Sequence, residues 1–304
     1  MASLLDLTAQ GDVATISDES KLGGRDPIQL MTPQQLYVLW ERQQWSSHTI
    51  DFSQDKRDWA GLSEADRRNL SWNLSSFFVG EERVTTQFTG LVAAFESQSE
   101  EAFLTTQQVD EARHAQHFNN FYEQVLGLDG TFEARLQEAR KDLNEAFLTL
   151  FDEHLVVACD RLMADRTDRE AKVDFVTTYH MIIEGTLALT GQYFLTDYCQ
   201  KHGILPGFLE GFENISRDEH RHVAYGTWYL QQAARDPGLR QRIQEKVVEL
   251  VPIAAGVLIP TGQDPDNFSI LGYSSEETNG YAFTALTRRL KVIGVSLTPD
   301  AAAA

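Results

Sequence analysis

Glu111-Ala112-Arg113-His114 and Glu219-His220-Arg221-His222 share one pattern, Glu-x-x-His. On a helix, residues i and i+3 lie on one face. Each stretch therefore presents a carboxylate beside an imidazole, a pairing that suits a metal ion. Of the eight histidines, only His114 and His222 have a glutamate three residues before them. Each stretch also has a glutamate upstream, Glu81 (111 − 81 = 30) and Glu184 (219 − 184 = 35). Those gaps suit one long helix, a turn and a return helix at roughly 1.5 Å rise per residue. Glu81 follows an apolar run, Leu70 to Gly80, and a carboxylate buried there must be paired or hold metal. A single Glu-x-x-His also arises as an ion pair on a solvated helix face. The ordered set Glu, Glu-x-x-His, Glu, Glu-x-x-His points instead to a metal centre.

One Glu from each of two helices plus Glu-x-x-His from each of two others is the dinuclear carboxylate site of ferritin-like bundles. The expected fold is therefore all-α: a ferritin-like bundle with a dinuclear metal site in a four-helix core, plus accessory helices. Residues 1–26 are expected to be a flexible lead-in, 27–295 a single helical domain, and 296–304 a disordered tail. Thr32-Pro33 starts a first helix to about Trp45, followed by a connector over 46–62. Ser63 with Asp66 opens a second helix over about 64–95. Further helices are expected over about 98–126 and 131–163, then from a Thr167 cap to Lys201, over 207–233, to about 250 and over 275–293. Residues 252–269 are expected to be a loop.

The formal charge of −19 over 304 residues argues against a nucleic-acid or anionic-membrane partner. With 42% apolar residues the chain has ample material for a core. Its two cysteines, Cys159 and Cys199, form no paired motif, so a reducing cytoplasm is the expected location. Neither a signal peptide nor a membrane-spanning stretch is expected.

Four carboxylates and two imidazoles suit two hard-to-borderline cations, and iron and manganese fit best. Site 1 takes Glu81, Glu111 and His114, and site 2 takes Glu184, Glu219 and His222. Glu111 is the better bridge between the ions. Six protein ligands leave open positions on two octahedral metals, where dioxygen would bind. Asp110 and Asp218 each precede a ligand glutamate and could accept the free N–H of a ligand histidine on the facing helix. Arg217 and Arg221 could balance the buried charge. Ordinary helix-surface charge is the simpler alternative for all four.

Trp45, Ile50-Asp51-Phe52-Ser53-Gln54-Asp55, Glu81, Glu111-x-x-His114, Glu184 and Arg217-Asp218-Glu219-x-x-His222 together resemble the ribonucleotide reductase small-subunit superfamily. The resemblance spans about residues 33–230 and is strongest to its ligand-binding oxidases. Radical-type subunits carry a tyrosine four residues after the first ligand histidine; here that position is Phe118. The oxidases carry a valine three residues after the first ligand glutamate and a tyrosine five before the third. These are Val84 and Tyr179, which in that family become joined by an ether bond. Without the resemblance, both would read as core residues. Trp45 and Asp218 match the reductases' electron-relay pair.

The resemblance implies a homodimeric Mn/Fe oxidase with manganese in site 1 and iron in site 2, di-iron loading being the alternative. It further implies dioxygen as oxidant and a long-chain fatty acid in a buried channel. Two other functions compete: a manganese/iron ribonucleotide reductase small subunit, and ferritin-like iron storage. The tail Thr298-Pro299-Asp300 with four alanines lacks the aromatic relay residue of a reductase tail. A storage protein would assemble into cages.

Overall fold

The computed structural model describes residues 30–297. The expected lead-in over 1–26 lies outside them, as does the expected tail beyond Leu297. The helices are α1 (Pro33–Arg42), α2 (Ser53–Gly61), α3 (Glu64–Gln87), α4 (Thr89–Ala93) and α5 (Gln98–Gln124). There follow α6 (Phe132–Ala139), α7 (Glu145–Leu148), α8 (Leu155–Ala164), α9 (Arg169–Val176) and α10 (Leu189–His202). The last three are α11 (Pro206–Ala233), α12 (Pro237–Val257) and α13 (Ser275–Ile293). Two π-helical segments, Thr149–His154 and Thr177–Ala188, join α7 to α8 and α9 to α10. Among the described residues, strand is confined to a small antiparallel pair, Ser269–Ile270 with Tyr273–Ser274.

Local chemistry sets these boundaries. Thr32 and Gln35 form a capping box at α1, with Pro33 as the first helical residue. Ser63 accepts the Asp66 N–H at α3, and α10 stops at left-handed Gly203. Four segments form the central bundle: α3, α5, the π-helical Thr177–Ala188 and α11. One apolar core extends from Leu36 to Val295 around them.

Several boundaries differ from the expectation. Helix α1 ends at Arg42, and Trp45 lies beyond it. The connector over 46–62 contains a 3₁₀ turn, Ser47–Thr49, and helix α2. The α2 carboxylates cap α11, whose first N–H groups have no intrahelical acceptor. Asp55 accepts from Gly207 and Phe208 at 2.9 and 2.6 Å, and Asp58 accepts from Leu205 at 2.9 Å. The second helix breaks at Phe88, between α3 and α4. The helix expected over 131–163 is interrupted near Asn144. That side chain caps α7 and donates to the Gly256 and Ile259 carbonyls at the end of α12. Asp168, not Thr167, caps α9, accepting from Glu170 and Ala171. Helix α12 runs through Pro252 to Val257, seven residues past the expected end near 250 (257 − 250 = 7), because Val247, Leu250, Ala254 and Val257 continue one buried stripe.

Candidate metal centre

Helix α3 delivers Glu81, α5 delivers Glu111 and His114, the π-helical segment delivers Glu184, and α11 delivers Glu219 and His222. All six are buried, with exposures from 0% at His114 and His222 to 6% at Glu81. They form two overlapping groups: Glu81, Glu111, His114 and Glu219, then Glu111, Glu184, Glu219 and His222. Glu111 and Glu219 belong to both, the placement a bridging carboxylate needs.

The spacings fit ligand atoms gathered around shared ions, and His222 Nδ1 also lies within hydrogen-bond distance of Glu184 Oε1. His114 Nδ1 lies 3.4 Å from Glu81 Oε2, 3.6 Å from Glu111 Oε2 and 3.4 Å from Glu219 Oε1. His222 Nδ1 lies 2.9, 3.2 and 3.6 Å from oxygens of Glu111, Glu184 and Glu219. Bonds of about 2.0–2.2 Å to one ion would set its ligand atoms roughly 3–4 Å apart. His114 Nδ1, Glu184 Oε2 and Glu219 Oε2 are buried without a hydrogen-bond partner. Groups of that kind are costly unless something else satisfies them, and a cation at the focus of the cluster would satisfy all three.

The electrostatics of the cluster agree. Burial, against the pull of His114, pushes Glu81 up to about 8. Burial and the nearby Glu219 carboxylate raise Glu184 well above the ordinary carboxylate range. Burial works against charge on His114 and His222, yet Glu81 and Glu111 respectively hold them well above the ordinary histidine range. The cluster thus keeps protons that two cations would displace.

Outside the six, two matching chains run to the histidines' far nitrogens. Trp45 donates to Asp218 at 2.7 Å, and Asp218 lies 3.3 Å from His114 Nε2. Trp40 donates to Asp110 at 2.9 Å, and Asp110 lies 3.2 Å from His222 Nε2. Each aspartate serves the histidine of the other helix, as the sequence suggests. Arg221 joins the chains, donating to Asp110 at 2.8 Å and Asp218 at 2.6 Å. Arg113 also donates to both aspartates. Arg217 does not reach this charge; its Nη2 donates to Asn214 at 2.8 Å and to the Gln43 carbonyl at 3.4 Å.

Three residues here escape the sequence reading: Arg113, Trp40 and Gln107. The register Asp-Glu-x-Arg-His occurs at both 110–114 and 218–222, and it was the available signal for Arg113. Gln107, one turn before Glu111, donates to Tyr179 at 3.3 Å and Glu184 at 3.4 Å. Tyr179 donates its hydroxyl to Glu111 at 2.6 Å. Phe118 stacks on Phe77 with centroids 5.8 Å apart and meets Phe208 and Phe212, so this position is aromatic packing with no hydroxyl.

A cavity of about 90 Å³ opens beside the cluster. Glu81, Val84, Glu111, Tyr179, Glu184 and Glu219 line it, and the remaining wall is mostly apolar, including Phe77, Phe151, Ile183, Leu187 and Phe194. A water needs about 10–15 Å³ on this measure, so the space exceeds a single solvent site.

Fold and cluster together define a ferritin-like bundle built around a buried dinuclear carboxylate-histidine site. The family model for the ribonucleotide reductase small chain matches residues 26–296. The chain belongs to that family. It is also similar to solved structures of variants of an R2-like ligand-binding oxidase. Two of them, with anaerobically reconstituted Mn/Fe cofactor, are 28% identical with TM-scores of 0.75 and 0.73, covering 88% of this chain and 94% and 95% of theirs. Another, with aerobically reconstituted Mn/Fe cofactor, is 27% identical with a TM-score of 0.74, covering 88% of this chain and 98% of its own.

Proposed function

We propose that this protein is an oxygen-activating oxidase loaded with one manganese and one iron ion. Glu81, Glu111 and His114 hold manganese in site 1, and Glu184, Glu219 and His222 hold iron in site 2; di-iron is the alternative loading. A long-chain fatty acid or similar apolar ligand fills the cavity with its carboxylate toward the ions, and an ether bond joins Val84 Cβ to the Tyr179 oxygen. The protein acts as a cytoplasmic homodimer in this reading.

The observation that carries the proposal is the shared cavity. Val84 and Tyr179 face the same space as four of the ligand carboxylates, and the remaining wall is mostly apolar. The solved relatives support it further: their variants include changes at a glycine, at a valine one helical turn on, and at a tyrosine. Gly80 and Val84 stand one turn apart here and line the cavity with Tyr179. A Cβ at Gly80 would lie 3.5 Å from Phe151, so a bulky side chain would press into the wall.

When bound, the ions supply dioxygen with electrons for cleavage of its O–O bond. The chain does the rest. Asp110 and Asp218 take the Nε2–H of His222 and His114, which turns each Nδ1 toward the carboxylate cluster that would hold the ions. The apolar wall limits water. Glu111 accepts the Tyr179 hydroxyl and so orients the phenol oxygen. Ether formation breaks Tyr179 O–H and Val84 Cβ–H, makes Cβ–O, and passes two electrons and two protons to dioxygen.

Peptide mass spectrometry on protein expressed with manganese and iron in air tests this. A Val84 peptide joined to a Tyr179 peptide, lighter by two hydrogens and absent in Val84→Ala and Tyr179→Phe, is the expected result. Unlinked peptides from protein confirmed to hold both metals would refute the cross-link. A second reading, the Mn/Fe reductase small subunit, is supported by the Trp45–Asp218–His114 chain. Complex formation with a ribonucleotide reductase large subunit would favour it.

A further inference from the structure

A file of aromatic rings leads from Tyr179 to the surface, separate from the Trp45–Asp218 chain. Between centroids, Tyr179 lies 4.5 Å from His180, and His180 lies 5.4 Å from Tyr225. Tyr225 lies 6.1 Å from Trp228 and 6.3 Å from Tyr229. The inner end meets the metal cluster, because Tyr179 donates to Glu111 and Tyr225 stands one turn beyond His222 on α11. At the outer end, half-buried Trp228 lines a surface groove with Tyr229, Arg169 and Gln232.

Tyr225 has chemistry that packing alone does not require. It is fully buried and donates its hydroxyl to Glu100 Oε1 at 2.5 Å. That oxygen also accepts from Lys172 Nζ at 2.7 Å, and Glu100 Oε2 accepts the Glu96 N–H at 2.6 Å. A phenol that loses an electron becomes strongly acidic and needs a proton acceptor already in place. Glu100 is that acceptor. Burial, with the Glu100 charge beside it, holds the Tyr225 hydroxyl well above the ordinary tyrosine range, so the phenol is protonated before oxidation and its proton has Glu100 Oε1 in hydrogen-bond contact.

We propose that Tyr225 and Trp228 form a one-electron relay between the oxygen-oxidised metal centre and a one-electron reductant in solution. The identity of the oxidant rests on the oxidase reading above. Tyr225 gives one electron to the centre, which is reduced by one, and its hydroxyl proton to Glu100. Trp228 then gives one electron to the Tyr225 radical, which takes its proton back from Glu100. The reductant restores Trp228, so the net change is one electron moved inward. Trp228 is the exit rather than Tyr229 because its ring is half-buried at the groove, whereas the Tyr229 ring is buried with the Lys172 ammonium 4.6 Å over it.

The test attaches a ruthenium photo-oxidant through Gln232→Cys, one turn beyond Trp228 in the same groove. Cys159 and Cys199 are buried, which directs the label to the new thiol. Flash oxidation of the labelled, metal-free chain should give a tyrosyl electron paramagnetic resonance signal that narrows with ring-deuterated tyrosine. The signal should vanish in Tyr225→Phe, which keeps the ring packing, and weaken in Trp228→Phe. Thermal melts confirm that both variants fold. A second arm mixes the Mn/Fe-loaded chain with dioxygen and reads the same signal and the Val84–Tyr179 linkage in the same samples. Linked peptides with no Tyr225-dependent radical in either arm overturn the relay and leave the oxidase reading standing. A Tyr225-dependent radical after the flash, with no linkage and no reaction with dioxygen, supports the relay and contradicts the oxidase reading.

Discussion

Asp110 and Asp218 each serve the helix opposite their own, and this crossing ties His114 and His222 together. Replacing a carboxylate that orients a metal ligand typically costs about 10–100-fold in affinity. Asp110→Asn should therefore weaken the ion at His222, and Asp218→Asn the ion at His114. Competition titration with a chelator, with separate manganese and iron readout, would show it; equal loss at both ions in both variants would count against the pairing. Glu81 gives a pH prediction. Its carboxyl stands at about 8 in the metal-free fold against an ordinary value of 4.5. The raised value means the group stabilises the metal-free protein below about 4.5 and loses that contribution as pH rises through about 8. Coordination needs the carboxylate, so metal uptake should release a proton and affinity should climb with pH up to about 8. Proton release on metal addition, reduced in Glu81→Gln, checks this.

Among the elements, α11 shows most clearly what a sequence conceals. The placing of Glu219 and His222 in one buried cluster was legible because helical spacing alone puts both on one face. The crossing bonds were legible too, since an aspartate precedes each ligand glutamate. Three other features were not. Asp55 and Asp58 cap α11 from a distant helix, and no local pattern announces that contact. The π-helical turn at Thr177–Ala188, which carries Tyr179 and Glu184, reads as an ordinary apolar helix because α and π segments draw on the same residues. Trp40 and Gln107 reach the site only through tertiary packing. Gly211 is a further case: a Cβ there would stand 2.1 Å from the His117 ring. Burial drives His117 down to about 3, so it is a neutral ring wedged among Trp45, Phe52, Phe118 and Phe208. Gly211→Ala should cost about 1–3 kcal/mol by overpacking. Gly61→Ala, where nothing lies within 4 Å of the new Cβ, should stay within about 0.5 kcal/mol. Chemical denaturation of the two variants reads the difference.

Over the whole molecule, the bundle encloses six ionisable side chains, Glu81, Glu111, His114, Glu184, Glu219 and His222, in one apolar core, and two ions held among them would reconcile those facts. Metal that binds only the folded state adds about 2.7 kcal/mol at a hundredfold excess over its dissociation constant. Stripping the protein with a chelator should therefore lower its thermal midpoint by several degrees, and adding manganese and iron should restore it. Among the described residues no helix is long and apolar enough to cross a membrane. The measurement that bears most directly on the central claim is anomalous X-ray diffraction at the manganese and iron edges, from crystals of protein loaded with both metals. Two ions are expected, manganese among Glu81, Glu111 and His114 and iron among Glu184, Glu219 and His222, bridged by a glutamate. A single ion, or two ions held away from these six residues, would contradict it.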